Sequence, residues 1–255
     1  MPQAPADATA YRDDNRVAWD RLVAAGSPLT AVATDEQCLH ARALLDREGW
    51  LPQSIAGLEV LCLAAGGGRH SILYAAAGAH VTVVDLCPAV LELDRREAER
   101  RGYSVRIVEA SMEDLSQLGD AIFDIVHQPV STCYVPDVAA VYREVARVLR
   151  LGGLYIGQHK QPASLQASHR LGDGRFVVGI PYSHSGPLPD VAERFNREDN
   201  TVEFLHRWDQ LIGELCTAGF VVEGLSEPNP AQDRNSYLPP FVRIKGRRVA
   251  RAGER

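Results

Sequence analysis

The chain has 255 residues, of which 45% are hydrophobic and 24% charged, with a formal net charge of −6. That acidic balance argues against a protein built to coat nucleic acid or anionic lipid, because both select an excess of Lys and Arg. The length fits one large α/β domain or two small ones.

Residues 1–9 and 246–255 are expected to be frayed tails around a single domain spanning 10–245. Within it, residues 10–57 are expected to form a helical cap, with helices predicted over Arg12–Ala25 and Asp35–Arg47. The apolar run Glu59–Leu63 predicts a buried strand, followed by Gly66-Gly67-Gly68 and a helix from about Arg69 to Gly78. His80–Asp85 predicts the next strand and Ala89–Arg101 the next helix. Strands over Val105–Val108, Phe123–Val126 and Gly153–Gln158, with a helix over Val138–Leu149, continue the alternation that specifies a parallel sheet covered by helices. Residues 160–203 lack apolar periodicity and hold several Gly, Pro and His, which predicts a lid-like insertion. A helix over Val202–Ala218 and strands near Phe220–Leu225 and Pro240–Lys245 close the domain. Five scattered cysteines without a C-x-x-C pair indicate neither a disulfide framework nor a zinc knuckle, and no uncharged apolar run is long enough to span a bilayer. A cytoplasmic protein with reduced thiols is expected.

Three consecutive glycines directly after a strand let the backbone approach a ligand closely, and the free N–H groups at the next helix start can face a carboxylate or phosphate. Asp85 falls just under twenty residues beyond Gly66, at the neighbouring strand end, where a carboxylate can accept both hydroxyls of a ribose. A glycine turn with an acid also suits the dinucleotide of an NAD(P)-dependent oxidoreductase. Gly66 to Ser71 lacks the third glycine at the expected spacing, and no Tyr-x-x-x-Lys pair is present.

The run V-L-C-L-A-A-G-G-G (Val60–Gly68) resembles the V-L-D-L-G-C-G-x-G motif of class I S-adenosylmethionine (SAM)-dependent methyltransferases. Other segments resemble that family in order: Val83-Val84-Asp85-Leu86; Ala110 to Leu115 at the adenine-contacting position; Phe123 to Val126; Arg147 to Gly153; and Ala218-Gly219-Phe220 followed by Glu227-Pro228. Cys62, Ala64, Ala65 and Ser111 depart from the pattern, and a positive φ at Ala64 would be strained. A binding or assembly module that has lost methyl transfer is therefore a competing reading. The resemblance implies a Rossmann-like sheet of seven strands, mostly parallel with the last antiparallel, and helices on both faces. It implies SAM as cofactor and S-adenosylhomocysteine as product, held by Ala64, Ala65, Gly66, Gly68, Asp85, Leu86, Ser111, Met112, Gln128 and Tyr11. Tyr11 and Trp19 sit in a segment similar to the helix that closes over SAM in small-molecule methyltransferases. Similarity to enzymes of quinone and secondary-metabolite biosynthesis implies a small-molecule acceptor as partner. Neither nucleic acid nor a membrane is expected, and a homodimer is left open.

Methyl transfer is an in-line displacement that needs alignment and exclusion of water, and an acceptor that loses a proton favours a nearby base. His159 and His127, at the ends of the fifth and fourth strands, are the candidate catalytic bases, with Gln128 as a positioning amide. Both histidines read equally well as ordinary hydrogen-bonded residues. Thr132, Cys133 and Tyr134 follow on the same loop as candidate pocket walls. His169, His184 and His159 match no metal-ligand spacing, so no metal is expected.

Overall fold

The computed structural model describes residues 9–227 and 238–250. Residues 1–8 and 251–255 of the expected tails lie outside the described residues, as does Pro228 of the Glu227-Pro228 pair. In chain order, helix α1 (Ala10–Ala24) leads to the short helices α2 (Asp35–Leu39) and α3 (Ala41–Leu45). Strand β1 (Glu59–Leu63), helix α4 (His70–Ala76), strand β2 (His80–Asp85), helix α5 (Pro88–Arg101) and strand β3 (Val105–Glu109) follow. Then come β4 (Phe123–Gln128), α6 (Val138–Val148), β5 (Leu149–Lys160), α7 (Pro162–Leu165), β6 (Ala167–Arg170) and β7 (Phe176–Val178). Helix α8 (Glu214–Thr217), β8 (Phe220–Ser226) and β9 (Phe241–Arg248) end the fold.

Seven strands form one sheet in the order β3-β2-β1-β4-β5-β9-β8. The first five pair in parallel, while β9 runs antiparallel to both β5 and β8, as the resemblance implied. Strand β1 is buried on both faces, which is why it reads as an unbroken apolar run. Its side chains alternate: Leu61 and Leu63 join Val126, Tyr155 and Val145 of α6, whereas Val60 and Cys62 join Ile72 of α4 and Leu91 of α5. Because β1 pairs with β2 on one side and β4 on the other, successive connections leave in opposite directions there and open a crevice at the carboxyl ends of the strands.

Several element boundaries differ from expectation for visible reasons. The single helix expected over Asp35–Arg47 breaks at His40, and only its start carries a capping box, between Thr34 and Gln37. The helix expected over Val202–Ala218 starts only at Asp209, as a π-helical turn (Asp209–Gly213) leading into α8. Upstream, tertiary partners claim the backbone: Asn15 binds both the N–H and the C=O of Val202, and Cys133 C=O accepts the Phe204 N–H. Strand β5 runs on to Lys160, and β9 continues past the expected boundary to Arg248. Within residues 160–203 lie α7 and the β6–β7 hairpin, resting on a small core of Leu165, Ile180, Leu188 and Leu205. Among the described residues no helix is long and apolar enough to cross a membrane, and no group of three His, Cys, Asp or Glu could hold a metal ion.

Candidate active site

The bend after β1 takes Ala64 through φ 46°, a left-handed conformation costly for any residue with a Cβ, and then Gly67 and Gly68 through φ 110° and 71°. Register places Leu63 opposite Val84, so Asp85, still paired with Glu109 of β3, falls one residue beyond the β1–β2 pairing, beside the bend. Its Oδ2 accepts the Gly66 N–H at 3.0 Å and its Oδ1 the Cys87 N–H at 3.0 Å. Contact is so close that a Cβ on Gly66 would sit 3.0 Å from Asp85 Oδ2. Burial raises the Asp85 pKa despite these backbone donors. A second carboxylate, Asp94 of α5, is fully buried beneath the bend, accepting the Gly67 N–H at 2.8 Å and the Ser71 hydroxyl. Burial pushes its pKa up to about 7.

A cavity of about 320 Å3 opens over this bend. One end is bounded by Ala64, Ala65, Gly66, Asp85 and Leu86, with Ser111 and Met112 beyond the tip of β3. The other end is walled by Ser131, Tyr134, Gln158, Glu198 and Phe241. Helix α1 roofs both ends through Tyr11, Asn15 and Trp19. It is fastened at two points. The Tyr11 hydroxyl donates to Glu113, which also pairs with Arg12 at 2.9 Å. Asn15 binds Val202 and donates to Tyr134 C=O at 3.3 Å. Burial, and then the Glu113 bond, push the Tyr11 phenol up to about 12, so it stays a neutral donor.

Each Asp85 oxygen keeps a lone pair beyond its backbone bond, as a vicinal diol requires. Gly66 and Gly67 border the cavity without side chains, and Ser111 adds a hydroxyl-bearing residue to its wall. These donors and acceptors fit adenosine carrying an amino-acid tail. A family model described as a methyltransferase domain matches residues 61–157. The uncharacterized methyltransferase YbaJ of Bacillus subtilis is 35% identical over 250 residues, covering 92% of this chain and 97% of that protein. The chain belongs to the SAM-dependent methyltransferase family. A ubiquinone biosynthesis O-methyltransferase of Xylella fastidiosa is 35% identical over 100 residues, 39% of this chain and 41% of that protein. The solved structure of a SAM-dependent methyltransferase from Mesorhizobium loti superposes with a TM-score of 0.67 at 22% identity, covering 82% of this chain and 98% of that one.

In this methyltransferase, Tyr11, Ala64, Ala65, Gly66, Asp85, Leu86, Ser111 and Met112 all border the same cavity. Gly68 does not: it lies beneath the bend, where a Cβ would meet Val32 at 3.2 Å and the Leu93 carbonyl at 3.3 Å. Nor does Gln128, which is fully buried. Its amide donates to Ser131 Oγ at 3.0 Å and approaches Met112 Sδ at 3.2 Å, while its oxygen accepts the Tyr155 hydroxyl at 2.9 Å. Gln128 thus braces two cavity residues from behind.

The methyltransferase brings neither His127 nor His159 to the cavity wall. Both strands run further than the sequence suggested, so each histidine is a ladder residue, His127 opposite Ile156 and His159 opposite Val242. His159 is 1% exposed, with Nδ1 2.8 Å from the Thr132 hydroxyl and Nε2 without a partner. Burial pushes it down to about 3, and His127, bonded to the Tyr74 hydroxyl at 2.8 Å, is also driven down by burial. His70 does border the cavity, its ring 4.8 Å from that of His127, and burial lowers it to about 4. Three contributors escaped sequence reasoning: Asp94, Asn15 and Glu198.

Proposed function

We propose that this methyltransferase transfers the methyl group of SAM to a small-molecule acceptor lodged at the Tyr134 end of the cavity. The observation that carries the reading is continuity: the glycine bend with Asp85 and the aromatic wall of Trp19, Tyr134 and Phe241 border the same space. Bound at the bend, SAM supplies a methyl group activated by its sulfonium. Asp85 accepts the ribose hydroxyls on the lone pairs that Gly66 and Cys87 leave open, and Ser111 offers its hydroxyl to the adenine edge. Helix α1 keeps water from the reacting atoms, and the apolar walls hold the acceptor in line. The name of the Xylella relative supports an oxygen acceptor.

Calorimetry with S-adenosylhomocysteine tests the donor half, and labelled SAM incubated with fractionated small-molecule extracts tests the acceptor half. Binding, together with label in an extractable small product, is expected. Absence of S-adenosylhomocysteine binding by the intact chain overturns the reading.

A further inference from the structure

The acceptor end of the cavity holds one carboxylate whose setting differs from every other acid nearby. Glu198, in the insertion between β5 and β8, borders the cavity beside Tyr134. Its Oε2 accepts the Tyr134 hydroxyl at 2.7 Å and the Lys160 ammonium at 2.6 Å. Among the described residues no side chain donates to Oε1. Lys160 is 3% exposed, bonds Glu203 as well at 2.9 Å, and lies over the Tyr134 ring at 5.7 Å. Glu203 in turn accepts the Thr201 hydroxyl at 3.0 Å. The ammonium is therefore shared between two acids and fixed by burial. Burial alone would raise the Glu198 pKa, but the Lys160 charge and the bonds from Lys160 and Tyr134 outweigh it and hold the carboxyl below its ordinary range.

A carboxylate locked in its ionised form at a cavity wall sorts acceptors by charge. An anion is repelled. An ammonium would have to lie beside the sulfonium, where like charges oppose it. A neutral hydroxyl donates to the open oxygen and meets neither penalty. The surrounding wall carries three aromatic rings: Trp19 and Tyr134 meet edge-to-face at 6.0 Å, and Phe241 borders the same end.

Resting on the reading given under Proposed function, we infer that Glu198 is the acceptor-side catalytic residue, binding a neutral aromatic hydroxyl through Oε1 and taking its proton during methyl transfer. The step balances as follows. A carbon–oxygen bond forms to the acceptor, the carbon–sulfur bond breaks with its electron pair staying on sulfur, and the hydroxyl proton passes to Glu198. Products are an aryl methyl ether, the thioether and one proton, released to solvent as the ether leaves. No base near neutrality is needed. The acceptor oxygen turns positive as the new bond forms, and its proton then becomes far more acidic than any carboxylic acid. A fixed carboxylate suffices, which accounts for a site in which His127 and His159 are ladder residues of the sheet. Lys160 and Tyr134 are positioning residues that hold Oε2 so that Oε1 faces the acceptor.

Ligand-observed NMR on the full chain saturated with sinefungin, a SAM analogue with an ammonium where the sulfonium would stand, tests this, with phenol, benzoate and protonated benzylamine as probes of one ring and three charges. Calorimetry first establishes that S-adenosylhomocysteine binds. Failure there removes the methyltransferase reading, whereas success isolates the present one. Phenol is expected to bind the wild-type complex most tightly. Glu198→Ala should weaken phenol at least tenfold while changing S-adenosylhomocysteine affinity less than threefold. Glu198→Gln keeps the shape and an acceptor for Tyr134, so it should lose phenol only a few-fold but gain benzoate. If Glu198→Ala does not fold, that gain in benzoate decides. Phenol binding that is absent in the wild type or equal in wild type and Glu198→Ala overturns the assignment, as does tighter binding of either charged probe or no benzoate gain in Glu198→Gln.

Discussion

Asp94 on α5 accepts the N–H of Gly67 at 2.8 Å, so the tightest turn of the cofactor cradle hangs on a carboxylate that has no access to solvent. Burial raises this acid from its ordinary 3.8 to about 7. The folded state therefore binds the Asp94 proton more tightly than the unfolded chain. This term is fully present below about pH 4 and is lost as pH rises through 7. A rise of that size corresponds to roughly 4 kcal/mol at most. Denaturant unfolding at pH 5 and pH 8 should show Asp94→Asn gaining on the wild type as pH rises, because the amide never ionises. A stability difference independent of pH would mean that Asp94 titrates normally.

Both Asp85 oxygens hold the bend, and in the proposed SAM complex the same two oxygens accept the ribose hydroxyls. Replacing Asp85 by Ala removes the ribose acceptor and leaves the N–H groups of Gly66 and Cys87 unpaired, so affinity and stability should both fall. Loss of hydrogen bonds to a charged group is worth about 1.5–3 kcal/mol, roughly a ten- to hundredfold weaker S-adenosylhomocysteine complex. Asp85→Asn should keep more stability while losing most of the affinity. Unchanged dissociation constants in both variants would exclude the ribose role.

The sheet and the donor half were legible because their signals are local. Glu59–Leu63 is an apolar run ended by glycines, and Asp85 closes the next such run. The acceptor half was not. Glu198 sits in Arg194-Phe195-Asn196-Arg197-Glu198, which has no periodicity, and it is held at the cavity by Lys160, 38 residues earlier, and Tyr134, 64 residues earlier. His159 illustrates the opposite error: a polar residue at a strand end looks like a crevice residue, yet the strand extends one residue past it and pairs it with Val242. Asp94 did carry a readable signal. It shares the buried helical stripe of Val90, Leu91 and Ala98, where an acid has no reason to stand unless it binds something.

Ala64 stands at φ 46° where the resembling family carries glycine. The left-handed conformation costs an alanine about 1–2 kcal/mol, and glycine returns about 0.5–1 kcal/mol of that through its freer unfolded chain. Ala64→Gly should therefore raise stability by roughly 0.5–1 kcal/mol, read as a higher Tm. A lower Tm would show that the Ala64 methyl packs usefully enough to outweigh its backbone strain.

Asn15 ties α1 to the end of the insertion and to the loop after β4, accepting the Val202 N–H at 2.7 Å and donating to the Val202 carbonyl at 3.0 Å and the Tyr134 carbonyl at 3.3 Å. The side chain is 5% exposed, so water cannot replace it freely. Asn15→Ala should cost about 2 kcal/mol, the usual penalty for leaving buried backbone groups unpaired. The Val202 amide should also exchange its hydrogen faster. Asn15→Asp keeps the shape and the acceptor but turns the donor nitrogen into an anionic oxygen facing two carbonyls. It should be at least as destabilising as alanine at pH 7 and should recover toward pH 4, where protonation restores one donor. Equal denaturant midpoints for Asp and Asn at pH 7 would show that the carbonyl bonds do not hold the helix in place.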